Sequence, residues 1–335
     1  MKPARAFVVI LAAVACGSAH YGAAAPIPNG SPGIGFDDLR YSATLRRVLA
    51  PAGRAGTLAM VEPDSLAVTT IGGFAETGSY GGGHDDGPTS VDEGRGLLFV
   101  TDRTSGRISI VDPVAQAIVA SAPLGSSPDY VRYVEATGEV WVSEPSGGQI
   151  EIFALGTAPP ALGSAATIPI ANGPESLVID QTAGRAYTHR WQSTTVVLDV
   201  RTRAVIAEWP NGCAASRGLA VDEARGFFLA GCSEGTLSVL DARHDGRILS
   251  TLAKGAGFDV IGYSPALGHV YLAGSACECL VTLGVSSAGA LSFLGRADAP
   301  GATHCATADD RGHAWVCDPD GAQLFRVDDP YPRSF

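Results

Sequence analysis

The sequence predicts an all-β fold, a seven-bladed β-propeller of four-stranded blades whose ring is closed by an N-terminal strand. Three observations predict it. GFDDLRYSATLRRVLAPA at 35–52 aligns without gaps with GFDVIGYSPALGHVYLAG at 257–274, and the offset of 222 residues is five units of about 44. Five further segments, at 88–112, 129–153, 175–199, 217–241 and 304–328, follow the same grammar. An alternating apolar strand runs into a Gly-containing turn, a second strand carries an aromatic residue, and a third strand often closes at Asp. The composition agrees: 42 Gly, 21 Pro and only 17% charged residues suit many short elements joined by tight turns. A fourth short strand follows each unit, as in AVTTIGG and RAVIAEW, and no amphipathic helix interrupts the pattern.

Residues 1–19, MKPARAFVVILAAVACGSA, read as an export signal: Lys2 and Arg5, an apolar run, then small residues suited to cleavage before His20. A second cleavage site at Gly22 to Ala25, or lipid attachment at Cys16, are the alternatives. Residues 20–335 then form a single propeller domain, placed by this signal in the periplasm or outside the cell. No later stretch has the roughly 18 uninterrupted apolar residues of a transmembrane segment.

The seventh unit stops at its third strand near Val327, so its outer strand must come from elsewhere. AAPIPN at 24–29 resembles TIPIAN at 167–172, which holds the outer-strand position of another unit. The N-terminal strand is therefore expected beside 322–328, which removes an exposed sheet edge.

In a propeller each innermost strand starts beside the central channel, and the repeat register identifies the residues there. They are Asp37, Gly87, Asp129, Glu175, Arg217, Asp259 and His304. The carboxylates Asp37, Asp129, Glu175 and Asp259 offer oxygen ligands for a divalent cation, and the ring as a whole could orient a small polar molecule. Alternatively, each acid caps its own blade by accepting backbone N–H bonds. His189, Arg190 and Trp191 occupy the turn between the second and third strands of blade four and suit stacking and hydrogen bonding to a ligand, although Trp191 could instead cover a neighbouring blade. His84-Asp85-Asp86 lies in a Gly-rich insertion before blade two, either a flap over the mouth or a solvated loop.

Six cysteines follow Cys16, an even number in an exported chain, so disulfides are expected. Cys305 and Cys317 flank one turn, and Cys213 faces Cys232 across the start of blade five. Cys277 and Cys279 would form a small ring, stay reduced or exchange with the adjoining blade, and a metal or redox site with His304 is the functional competitor.

Lysine occurs only at positions 2 and 254, which leaves practically no candidate for a Schiff-base or P-loop lysine. The net charge of −11 argues against nucleic acid as a partner. Zincin, dinucleotide-binding and haem-attachment motifs are all absent from the sequence.

LFVTDRTSGRISIVDP at 98–113 resembles the YVTN repeat of bacterial YncE-like and surface-layer propellers, with VWVSEPSGGQIEIF and AWVCDPDGAQLFRVD as weaker copies. The resemblance implies a propeller across the mature chain and roles that vary: single-stranded DNA binding, subunits of periplasmic redox enzymes, extracellular attachment. The acidic balance tells against the first. The expected function is an exported, monomeric binding module that takes a protein or small-molecule partner on its channel-mouth face, with no catalysis required. A metal-dependent hydrolase or lactonase with a central acidic site is the alternative, and a redox-enzyme subunit the third.

Overall fold

A computed structural model describes residues 22–335. The export signal and Cys16 lie outside the described residues. Among these, 28 strands form seven four-stranded antiparallel sheets arranged as blades of a ring. Blades one to six span 40–71, 88–123, 131–169, 175–210, 216–253 and 258–298, each a meander from channel to rim. Blade seven combines Ala306–Ala308, His313–Asp318 and Gln323–Asp328 with the N-terminal strand Ala23–Pro26, in the register Ala23↔Arg326 to Pro26↔Gln323. Beyond this strand, Ile27 N–H donates to the Ala322 carbonyl (2.9 Å), and Ala25 and Ile27 are buried.

Burial falls from channel to rim because only the inner strands are covered by neighbouring blades on both faces. The second strand of blade three, Glu139–Glu144, is buried throughout, whereas the outer strand of blade two, Ala117–Pro123, alternates exposed and half-buried positions. The wedge between blades widens outward, and aromatic side chains fill it. Phe99, Trp141, Tyr187, Tyr271 and Trp315 each hold the third position of a second strand and are at most 1% exposed. The two buried indoles keep a partner for their N–H: Trp141 donates to Glu139 and Trp315 to Asp309, both at 3.0 Å.

Beside the channel, ion pairs tie blades one, two and three together. Arg132 makes a two-pronged bond to Asp38 (2.6 and 3.0 Å), and Ser90 donates to the same carboxylate. Arg40 meets Asp92, which also accepts from the Tyr133 N–H. A planar guanidinium suits such buried pairs because its N–H fork matches a carboxylate edge.

All six described cysteines are bonded: Cys213–Cys232, Cys277–Cys279 and Cys305–Cys317. Of the three fates open to Cys277 and Cys279, the small ring is the one present, across the turn between the second and third strands of blade six. His304, Cys305 and Cys317 lie close enough to share a metal, but both sulfurs belong to a disulfide. The cysteines therefore supply no ligands to a metal site near His304. Among the described residues no helix is long and apolar enough to cross a membrane.

Candidate functional site at the channel mouth

The inner strands bring Asp37, Asp129, Glu175, Arg217, Asp259 and His304 to one end of the channel. They line two adjoining lobes of about 350 and 330 Å³, which share His84, Arg217 and Asp259. Cavities of this size suit small polar molecules.

The Gly-rich insertion folds into the mouth. His84 stacks on His304 with ring centroids 5.2 Å apart. Its Nδ1 lies 3.2 Å from Asp37 Oδ2, and its Nε2 lies 3.9 Å from Asp259. Two distant glycines make room: a Cβ at Gly33 would stand 2.2 Å from the Tyr80 ring, and one at Gly35 would stand 2.4 Å from the Gly83 carbonyl.

Arg103, from the turn between the second and third strands of blade two, is the cation at the centre. Its guanidinium reaches Asp37 at 2.9 Å and Asp129 at 2.6 Å, and donates to the His84 and Pro128 carbonyls at 2.7 and 2.8 Å. It joins blades one, two and three and the insertion. Written without gaps, segments 88–112 and 175–199 set Arg103 level with Arg190, whereas the strands place Phe99 level with Tyr187 and so Arg103 level with Trp191.

The metal expectation for Asp37, Asp129, Glu175 and Asp259 meets an opposing charge in this geometry. Among the described residues, the trios whose ligand atoms lie within 4.8 Å of one another contain Asp259 but not Asp37, Asp129 or Glu175. Arg103 already stands between Asp37 and Asp129, and its fixed positive charge repels a second cation there. The trio His84, Asp259 and His304 is that close. Both ring nitrogens of His304, however, face carbonyl oxygens, Ala302 and Phe36 at 2.9 Å each, so the chain itself already holds the ring.

Two placements are corrected. His189 is the last residue of the second strand rather than part of the turn, and it is fully buried. Its Nδ1 lies 3.0 Å from the Thr195 hydroxyl, and burial pulls its pKa down to about 3. Arg190 turns away to pair with Glu208 (2.5 Å) and the Ala171 carbonyl. Trp191 alone of that run lines the mouth, 40% exposed, with the Arg217 guanidinium 5.0 Å from its ring centroid.

Arg217 and Glu175, two ionisable groups lining the cavity, make no ion pair. Arg217 donates to the Ser216 carbonyl (2.9 Å), and among the described residues no carboxylate lies within 4.0 Å of it. Glu175 is only 7% exposed, lines the lobe, and its carboxyl makes no hydrogen bond or ion pair. Burial, then Asp129 and Asp259, push its pKa well above the usual carboxylate range. Asp129 is pushed up to about 7, by burial against the pull of Arg103. Asp37 goes the other way: burial works to raise it, but His84 and Arg103 together hold it well below its usual value. Asp37 in turn raises His84 to about 9, against the opposing effect of burial.

Stability follows from these shifts. The His84 contribution is complete below its unfolded value of 6.5 and is lost as pH rises through about 9. Asp129 acts in the same sense, because the folded chain holds a proton that the unfolded carboxyl releases, so folding weakens as pH rises through about 7, and Glu175 adds in the same direction. Asp37 contributes above 3.8 and its share is lost only in acid. Urea unfolding is expected to show stability falling by on the order of 1–2 kcal/mol between pH 6 and pH 9, with a shallower fall in His84→Gln. A flat or rising profile would contradict this assignment of charges.

No protein-family model matches this chain, and no curated protein does. Solved structures match over most of its length. The β-propeller domain of Myceliophteria thermophila Cps50 (Swd1) superposes with a TM-score of 0.71 at 10% identity, covering 88% of this chain and 97% of that one. A chain of the Mitotic Checkpoint Complex gives 0.72 at 15% identity, covering 96% and 100%. A chain of Kuenenia stuttgartiensis hydrazine synthase gives 0.70 at 10%, covering 89% and 96%. At these identities the likeness is one of fold, a seven-bladed propeller, and propellers carry many unrelated activities.

Proposed function

We propose that the chain is an exported propeller of the YVTN, YncE-like type, acting as a monomeric binding module whose channel mouth takes a small polar molecule or a polar segment of a protein partner, without chemistry of its own. One observation carries this reading: Glu175 and Arg217, a buried acid and an arginine, line the same cavity and neither has a charged partner. Burying a polar group without a partner costs stability, and such a cost is offset where a ligand completes the bonds. Use of the fold as a binding scaffold is supported by the propeller found in the Mitotic Checkpoint Complex, an assembly of proteins.

Export is supported by the signal-like residues 1–19 and by three disulfides, which persist in oxidising compartments. Cleavage before His20 would leave the strand Ala23–Pro26 whole, whereas cleavage within Gly22 to Ala25 would cut it. The acidic balance argues against nucleic acid as the ligand. The hydrolase reading loses its basis where Arg103 takes the place of a cation between Asp37 and Asp129.

Native mass spectrometry of the protein taken from its exported compartment tests the proposal, with Arg217→Leu beside it. The expected result is a mass excess that vanishes on denaturation and is reduced in the variant. A native mass equal to the bare oxidised chain in both would overturn it.

A further inference from the structure

We propose that the mouth recognises a compact zwitterion of the α-amino-acid type, its ammonium held by the carboxyls of Glu175 and Asp259 and its carboxylate by Arg217. The ligand is then a free amino acid or a short peptide with both ends unblocked. This rests on the binding reading above and names the chemistry of the same site.

Four observations lead here. Glu175 and Arg217 carry opposite charges when ionised and line one lobe, yet they do not pair with each other. A molecule with its own positive and negative ends answers both, whereas a simple anion leaves Glu175 unpartnered and a simple cation meets Arg217. The other cations of the mouth are committed: Arg103 to Asp37 and Asp129, and His84 to Asp37. Arg217 is the cation that remains for a ligand carboxylate, and its place over Trp191 presents it to the cavity. Asp259, partly exposed, borders both lobes and adds a second acceptor for an ammonium.

Binding should expel a proton. Glu175 faces Asp129 of blade three, Arg217 of blade five, Asp259 of blade six and Asp37 of blade one, with Arg103 and His84 behind Asp37. In the free protein burial and these surroundings favour the protonated Glu175 carboxyl, and an ammonium beside it favours the ionised form. Affinity for an amine-bearing ligand therefore rises with pH while the free Glu175 carboxyl holds its proton.

Calorimetric titration of the oxidised mature protein tests this with four probes: L-alanine, L-alanyl-L-alanine, L-alaninamide, which lacks the carboxylate, and N-acetyl-L-alanine, which lacks the ammonium. Alanine probes suffice because the two charged ends are the recognised feature. At least one of the two zwitterions should bind at least about tenfold more tightly than either one-ended probe, since each missing end leaves a charged group unpaired. Whichever of L-alanine and the dipeptide is tighter identifies the source as a free amino acid or a peptide. The heat should differ between phosphate and Tris buffers as the released proton is taken up. Arg217→Leu should remove the preference for L-alanine over L-alaninamide, and Glu175→Gln should remove the buffer dependence, each with unchanged thermal unfolding of the disulfide-bonded chain.

A one-ended probe that binds as well as the zwitterions overturns the inference. So does silence from all four probes at millimolar concentration. If the native mass then still shows another molecule lost in Arg217→Leu, the binding reading stands and the zwitterion fails; if the mass is bare, both fail.

Discussion

Replacing Arg103 with Met is expected to lower folding stability by about 3–5 kcal/mol, the cost of breaking a buried charge pair by removing one partner. Arg103 is 10% exposed at its side chain and is the cation shared by Asp37 and Asp129, both almost fully buried. Met fills a similar volume, so the loss reports charge and hydrogen bonding more than packing. The pH dependence separates this from a generic cavity. Arg103 helps hold Asp37 below its usual value, a contribution present above 3.8 and lost in acid. The gap between variant and wild type should therefore begin to narrow at pH 3–4, as Asp37 takes up its proton at higher pH in the variant than in the wild type. Urea unfolding at pH 7 and pH 3.5 checks both parts. A loss under about 1 kcal/mol at pH 7 would place Arg103 among surface pairs of little weight.

Removing the N-terminal strand should be nearly as costly. A chain beginning at Pro28 lacks the ladder from Ala23 to Pro26, the Ile27 N–H bond to Ala322, and the buried Ala25 and Ile27 side chains. Together these amount to about 3–6 kcal/mol, from about 1.5–3 for an isoleucine side chain and about 0.5–1.5 for each hydrogen bond. The bare edge of Gln323–Asp328 would also be open to pairing with another molecule. A chain beginning at Gly22 keeps the strand and should match the full mature protein, while the Pro28 chain should melt lower and sediment as concentration-dependent aggregates. Equal melting of the two would mean that the ring does not depend on this closure.

The blades were legible because a repeat states its pattern seven times, and the second-strand aromatic marks the same point in most copies. Register also put Asp37, Asp129, Glu175, Arg217, Asp259 and His304 at one end of the channel. What register lacks is distance. The four acids read as a ring of oxygen ligands, but a cation from the chain itself, Arg103, lies between two of them. By strand position its counterpart in blade four is Trp191, the member of the His189-Arg190-Trp191 run that lines the mouth. His189 was misplaced for a related reason: strand ends shift by a residue, and at the last position of a strand that shift decides between core and mouth. The His84 insertion was undecidable from its own composition, since what lets it lie in the mouth is the missing side chains of Gly33 and Gly35, some fifty residues earlier.

The central claim is that the mouth leaves Glu175 and Arg217 unpaired for a ligand. A crystal structure of the mature protein, purified from its exported compartment at neutral pH without stripping, tests it most directly. The account predicts density for a small molecule in contact with both the Glu175 carboxyl and the Arg217 guanidinium. Arg217 swung over to pair with Glu175, closing the mouth on itself, would contradict it.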